Sequence, residues 1–194
     1  MKKAVKKEDI YNIPNALTFL RVLLTFFIFY FILARYNIWY LIIFYSVAAL
    51  TDFFDGQIAR RFNLKTEFGR KFDMIADRLL MIGTVFILII SWTWHGIIGR
   101  YHLLQIGLIM SREIVSLPFA IHAFISKKGI PHAKFVGKLT TFLQGFVFPI
   151  IILSIFYEFF EFSIYLALIT GIIGIFSAVV FINDLGKSKR LNKG

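Results

Sequence analysis

Four aspartates lie within one short stretch of a strongly apolar chain: Asp52, Asp55, Asp73 and Asp77. Ionisable residues inside membrane-spanning segments are costly, so a cluster of them indicates a functional site. Four carboxylates in a low-dielectric site must take up protons, pair with bases or bind cations. Because the stretch between them has no cysteine and no histidine, these oxygen ligands favour a hard cation such as Mg²⁺ or Mn²⁺.

The spacing of the aspartates predicts that they meet in space. Asp52 and Asp55 are three residues apart and Asp73 and Asp77 are four apart, so each pair lies on one face of its helix. The connection runs from about residue 61 to 68, which predicts an antiparallel hairpin with all four carboxylates at nearly one depth. The alternative is a salt-bridge network between the two helices, and its candidate bases are Arg60, Arg61, Arg70, Lys71 and Arg78.

Composition places these helices in a membrane. The 194-residue chain is 58% hydrophobic and 18% aromatic, which a soluble domain could not bury, so we expect an all-α integral membrane protein. Cysteine is absent, which excludes disulfides and thiol catalysis. No cleavable signal is expected, because the apolar run from Ala16 to Ala34 is long enough to be a first span. Six spans fit the pattern, at about 16–34, 38–60, 69–93, 101–125, 137–157 and 162–184.

The net charge of +11 could suggest nucleic acid, but its distribution argues against that partner. Basic residues collect before the first span, in alternate connections and in the tail, which is the positive-inside pattern. We therefore expect both termini and the aspartates to face the cytoplasm, in the cytoplasmic (inner) membrane. One domain should cover residues 1–194, with a juxtamembrane arm at 1–15 that includes a short interfacial segment, and a basic tail at 185–194.

Written as a pattern, the stretch from Asp52 to Asp77 reads D-x-x-D-G-x-x-A-R-x8-G-x3-D-x3-D. It resembles the signature of the CDP-alcohol phosphotransferases, and every fixed position matches. Three flanking segments resemble the phosphatidylglycerophosphate synthase branch: NIPNALTFLRVLL from Asn12, SREI from Ser111 and GKLTTFLQ from Gly137. That branch usually has D-P-x-A-D-K, whereas Met74 and Arg78 stand here in place of the proline and the lysine, which weakens the assignment of the acceptor.

The resemblance implies transfer of a phosphatidyl group from CDP-diacylglycerol, a lipid in the bilayer, to glycerol 3-phosphate, with release of CMP. It implies two divalent ions, Mg²⁺ or Mn²⁺, held by Asp52, Asp55, Asp73 and Asp77, with Asp77 also the catalytic base. It further implies a CDP site that includes Gly56, Ala59, Arg60 and Gly69. Helix packing, a positive-inside anchor and a turn are the plainer interpretations of these four residues.

An anionic acceptor needs cations beyond the metals, and Arg112, Lys138 and Arg21 are the candidates for its phosphate. Arg112 could instead pair with Glu113, and Lys138 could extend to the interface. Other acceptors would use the same chemistry, namely phosphatidylglycerol, serine or inositol phosphate. A cation-coupled transporter is the alternative of another class, although such sites usually lie near the midplane at interrupted helices. The sequence leaves a homodimer open.

Overall fold

A computed structural model of the chain describes residues 12–62, 66–125 and 135–191. Within these ranges it gives no account of the side chains at 52–56, 59–60, 67, 70–71, 120, 123–125 and 187–191. The described residues form helices and their connections, with no strand among them. The chain divides after His95 into two compact units, which are taken in turn.

The first unit begins with a helical hairpin. Helix α1 spans Ile13–Leu33, and it starts where the side chain of Asn12 accepts a hydrogen bond from the Asn15 backbone N–H at 2.9 Å. Pro14 lies in its first turn, where a missing N–H costs nothing. The chain then turns through Arg35, whose φ is 51°, and Asn37 caps helix α2, Ile38–Arg61. The two helices pack along each other.

A second, interrupted helix completes this unit. Helix α3 spans Glu67–Arg78 and begins where Thr66 Oγ1 accepts a hydrogen bond from the Gly69 N–H at 2.9 Å. A π turn at Leu79–Gly83 leads directly into helix α4, Thr84–Trp94. Helix α1 contacts α2, α3, the π turn and α4, so it is the central helix of the unit. Trp92 Nε1 donates to the Ile32 carbonyl at 3.4 Å and holds the far end of α4 against α1.

The second unit contains four helices and a short 3₁₀ turn. Their bounds are α5 at Arg100–Ile109, α6 at Ser111–Ile125, α7 at Phe135–Ser154, the 3₁₀ turn at Glu158–Phe160, and α8 at Ser163–Leu191. Helix α8 packs against α5, α6 and α7. Glycine allows a close approach, because a Cβ on Gly171 would lie 3.0 Å from the Leu108 carbonyl oxygen. Gln105 Nε2 donates to Ser163 Oγ at 2.9 Å and so ties α5 to α8.

Helix lengths and composition agree with an integral membrane protein. Within the described ranges, four helices are long and apolar enough to cross a membrane: Ile13–Leu33, Phe72–Trp94, Phe135–Ser154 and Glu158–Gly186. A shorter apolar helix covers Ile38–Thr51. Large apolar side chains such as Phe19, Phe86 and Ile172 point outward, which suits a hydrocarbon surrounding. Six spans with both termini in the cytoplasm, and a single domain over 1–194, stay predictions.

Helix boundaries differ from several of the expected spans. For example, helix α7 covers Phe135–Ser154 where 137–157 was expected. The expected span 101–125 is two helices, α5 and α6, separated by a turn at Met110. Helix α1 starts within the expected arm at 1–15, because the Asn12 cap and Pro14 set its first turn. Residues 1–11, which include the expected interfacial segment, lie outside the described residues. Helix α8 extends into the expected tail as far as Leu191, since lysine and arginine favour helix.

The approach of Gly171 to α5 gives a first testable prediction. Gly171→Ala should lower the midpoint of thermal unfolding in detergent, because forcing a methyl against a backbone carbonyl costs about 1–3 kcal/mol. Gly107→Ala is the matched control, since a Cβ there meets nothing within 4 Å and alanine favours helix. Equal stabilisation by both substitutions would contradict the close approach of α8 to α5.

Candidate functional site

The buried face of α1 carries a polar stripe in the middle of an apolar helix. Thr18, Arg21 and Thr25 follow one another at helical spacing, and all three are fully or almost fully buried. Both hydroxyl groups are bonded within their own helix, because Thr18 Oγ1 donates to the Pro14 carbonyl at 3.1 Å and Thr25 Oγ1 donates to the Arg21 carbonyl at 2.8 Å. Among the contacts described, the arginine of this stripe reaches across to another helix.

Arg21 joins two of the four predicted site aspartates. Its Nη1 donates to Oδ1 of Asp73 at 2.9 Å and to Oδ1 of Asp77 at 2.6 Å. The Arg21 side chain is 0% exposed, whereas the side chains of Asp73 and Asp77 are 41% and 39% exposed. The two carboxylates thus lie between a buried cation on one side and an open surface on the other. Their common contact confirms that Asp73 and Asp77 occupy one face of α3.

This ion-pair partner was not among the bases expected from the sequence. Arg60, Arg61, Arg70, Lys71 and Arg78 are close to the aspartates along the chain, but Arg21 lies 52 residues before Asp73. The signal that could have found it is the spacing of Arg21 with Thr18 and Thr25 on one face of an apolar helix. An arginine in that setting needs an acidic partner inside the protein.

The remaining motif residues divide between α2 and the start of α3. Asp52, Asp55, Gly56, Ala59 and Arg60 all belong to α2, and their side chains lie outside the described part of the structure. Gly69 lies in the first turn of α3, where a Cβ would collide with Asn15 Oδ1 and would lie 2.9 Å from Thr66 Oγ1. Gly69 therefore permits α1 and α3 to approach closely, and its role in binding CDP stays a prediction.

The donor chemistry on α3 fits a hard divalent cation. Asp73 and Asp77 present carboxylate oxygens one helical turn apart and partly open to the outside, and such oxygens suit Mg²⁺ or Mn²⁺. Among the residues whose side chains are described, no group of three or more histidines, cysteines or acids is placed to hold a metal. Two of the four expected ligands are outside that search, so the described pair is half of the predicted set.

In the second unit, Arg112, Glu113 and Gln144 form a polar cluster between α6 and α7. Gln144 Nε2 donates to Glu113 Oε2 at 2.5 Å and to the Ile109 carbonyl at 2.7 Å. Arg112 Nη1 donates to Thr141 Oγ1 at 2.7 Å and lies 3.5 Å from Glu113 Oε1. The expected pairing of Arg112 with Glu113 is thus present, although its shorter contact is with Thr141.

The basic candidates for the acceptor phosphate differ in exposure. The Arg112 side chain is 24% exposed, and Lys138 in the first turn of α7 is exposed. Arg21 is buried and engaged by carboxylates in the first unit. No contact with an acceptor is described for Arg112, Lys138 or Arg21, so their role in binding the acceptor phosphate stays a prediction.

Comparison with known proteins gives the family. The profile of the CDP-alcohol phosphatidyltransferases matches residues 11–181, which include parts of both units. A Rickettsia typhi protein named CDP-diacylglycerol–glycerol-3-phosphate 3-phosphatidyltransferase is 37% identical over 110 residues, 57% of this chain and 57% of that protein. A protein of the same name from Escherichia coli K12 is 31% identical over 137 residues, 69% of this chain and 72% of that protein.

A third relative has a different name. The CMP-forming cardiolipin synthase of Streptomyces coelicolor is 30% identical over 111 residues, 56% of this chain and 47% of that protein. The chain spans somewhat more than half the length of the Rickettsia relatives that it matches.

With the family profile matched over 11–181 and the motif aspartates Asp73 and Asp77 together on one face of α3, this chain belongs to the CDP-alcohol phosphatidyltransferase family.

Proposed function

We propose that this protein transfers a phosphatidyl group from CDP-diacylglycerol to glycerol 3-phosphate, giving phosphatidylglycerophosphate and CMP. One observation carries the proposal: Asp73 and Asp77 of the family motif share one face of α3 and are both partly exposed. The named activity of the Rickettsia and Escherichia relatives supports the choice of substrates. Helices long enough to cross a membrane suit a substrate with two acyl chains in the bilayer and a polar headgroup at the site.

Asp52, Asp55, Asp73 and Asp77 would hold the divalent ions, which would neutralise the pyrophosphate oxygens and act as Lewis acids. We assign Asp77 as the base that takes the proton from the acceptor hydroxyl. The hydroxyl oxygen forms a bond to the β-phosphorus, and the bond from that phosphorus to the bridging oxygen breaks, so that CMP leaves with the electron pair. A base needs an oxygen within hydrogen-bond reach of the hydroxyl, and the exposure of Asp77 allows such an approach.

The remaining assignments complete the proposal. Gly56, Ala59, Arg60 and Gly69 would bind the CDP moiety, and Arg112 and Lys138 would bind the acceptor phosphate, with Arg21 a further candidate. In a six-span arrangement in the cytoplasmic membrane, the aspartates would face the cytoplasm. Water-soluble glycerol 3-phosphate could then reach them from that side, and CMP could leave to it.

A second acceptor has one observation in its favour. The Streptomyces relative is named a CMP-forming cardiolipin synthase, which points to phosphatidylglycerol as the acceptor for the same chemistry. The test is to incubate purified protein with CDP-diacylglycerol and Mg²⁺ and to offer glycerol 3-phosphate, phosphatidylglycerol, serine and inositol phosphate separately. CMP release with glycerol 3-phosphate alone is expected. Release with another acceptor instead would keep the family chemistry and overturn the choice of acceptor.

Metal dependence follows from the all-oxygen donor set. EDTA should abolish CMP release, and Mg²⁺ or Mn²⁺ added in excess should restore it, whereas NaCl at the same ionic strength is the control for non-specific charge effects. Asp55→Asn should lose activity even with excess metal, because it removes a charged ligand. Full activity of thoroughly chelated protein would contradict the metal site.

The variant Asp77→Asn distinguishes between two roles for Asp77, the catalytic base and a metal ligand. If Asp77 is mainly the base, turnover should fall by about 10²-fold or more while the protein still binds CDP-diacylglycerol, measured by equilibrium binding of labelled lipid. Glu158→Gln removes a negative charge outside the motif and should leave both quantities unchanged. If Asp77→Asn abolishes lipid binding as fully as Asp52→Asn, Asp77 acts as a ligand and its assignment as the base is wrong.

The acceptor assignment predicts a selective effect on one substrate. Arg112→Gln or Lys138→Gln should raise the KM for glycerol 3-phosphate by about tenfold to a hundredfold, since a charge-assisted hydrogen bond is worth about 1.5–3 kcal/mol. The KM for CDP-diacylglycerol should change little. Arg100→Gln at the start of α5 makes the same charge change in the same unit and is the control. Equal increases for both substrates would show that Arg112 and Lys138 support the fold.

A further inference from the structure

One nitrogen of Arg21 holds two carboxylates that would otherwise repel each other. Nη1 donates to Oδ1 of Asp73 at 2.9 Å and to Oδ1 of Asp77 at 2.6 Å. Like charges one helical turn apart repel each other, and a cation in contact with both offsets that repulsion.

The contact should persist when other groups bind to the site. Arg21 is 0% exposed and approaches from the interior of the first unit, whereas the two carboxylates are partly exposed on their other side. Separating a buried guanidinium from two carboxylates that it contacts would remove favourable electrostatic compensation in an apolar surrounding, which is unfavourable. Its backbone is also fixed, because α1 contacts every other helix of this unit.

We propose that Arg21 is a positioning residue of the active site. By holding Oδ1 of Asp73 and Oδ1 of Asp77 from the buried side, it fixes the rotation of both carboxylates relative to a divalent cation and to the acceptor hydroxyl, which would approach from their exposed side. This inference rests on the proposed function, because it takes Asp73 and Asp77 as metal ligands. It assigns to Arg21 a task different from contact with the acceptor phosphate.

The test measures metal binding without turnover. Mn²⁺ is titrated into the full-length protein in detergent, and free Mn²⁺ is read from its electron paramagnetic resonance signal. Arg21→Met keeps a stem of similar length but loses the donor and the charge, so the dissociation constant should rise by about 10- to 100-fold, as when other groups that orient metal ligands are lost. Arg21→Lys keeps the charge without the planar fork and should show a smaller, measurable loss.

Thr25→Val is the matched control. Thr25 is 0% exposed on the same face of α1, one turn further along, and its hydroxyl donates only within that helix among the contacts described. This substitution should leave the dissociation constant of Mn²⁺ unchanged. Steady-state kinetics add a second readout, because loss of positioning should lower kcat and leave the KM for glycerol 3-phosphate nearly unchanged.

Several results would overturn the inference. Tighter Mn²⁺ binding by Arg21→Met would mean that Arg21 acts only as a nearby positive charge. Unchanged Mn²⁺ binding with a lower unfolding temperature would mean that Arg21 only ties α1 to α3. Unchanged Mn²⁺ binding with a raised KM for glycerol 3-phosphate would mean that Arg21 binds the acceptor. If Arg21→Met does not fold, wild-type binding by Arg21→Lys overturns the proposal. Wild-type protein that binds no Mn²⁺ overturns the proposed metal site itself, whereas the other results leave that site intact.

Discussion

A full positive charge lies at the centre of the buried face of α1, and the arrangement of the first unit depends on it. A guanidinium that is 0% exposed needs acidic partners inside the protein, and Asp73 and Asp77 are the partners among the described contacts. That requirement fixes α3 beside α1 at one height and one rotation. Because α1 also contacts α2 and α4, the ion pair sets the position around which the other helices of the unit are arranged.

Local features of the site could be predicted from the sequence because they depend on short spacings. Two aspartates four residues apart share a helix face wherever the helix lies, and Asp73 and Asp77 confirm this. The apolar runs predicted the helices, and their length and composition agree with an integral membrane protein. The family also followed from the sequence, because the motif fixes residue types at fixed intervals through both Asp pairs.

Contacts between distant parts of the chain could not be predicted in the same way. Arg21 was considered for the acceptor phosphate. Its spacing with Thr18 and Thr25 signals a need for an acidic partner, but which helix supplies that partner depends on how α1 packs. The turn at Met110 has neither glycine nor proline to announce it, and its N–H still donates to the Ile106 carbonyl at 3.0 Å as in a regular helix. Gln144 likewise bonds to the Ile109 carbonyl and to Glu113, which lie 35 and 31 residues away along the chain.

The π turn at Leu79–Gly83 has a geometric consequence for the helix that contains it. A π turn takes more residues per revolution than an α-turn, so it delays the angular phase of everything that follows by about one residue, or roughly 100°. The apolar side chains of α4, among them Leu88 and Trp92, are thereby rotated relative to the carboxylates of α3. In an uninterrupted α-helix, a single 3.6-residue period would set the directions of the α3 carboxylates and of the α4 apolar side chains together. The extra residue lets α3, which carries Asp73 and Asp77, and the apolar helix α4 each face α1 with its own alignment.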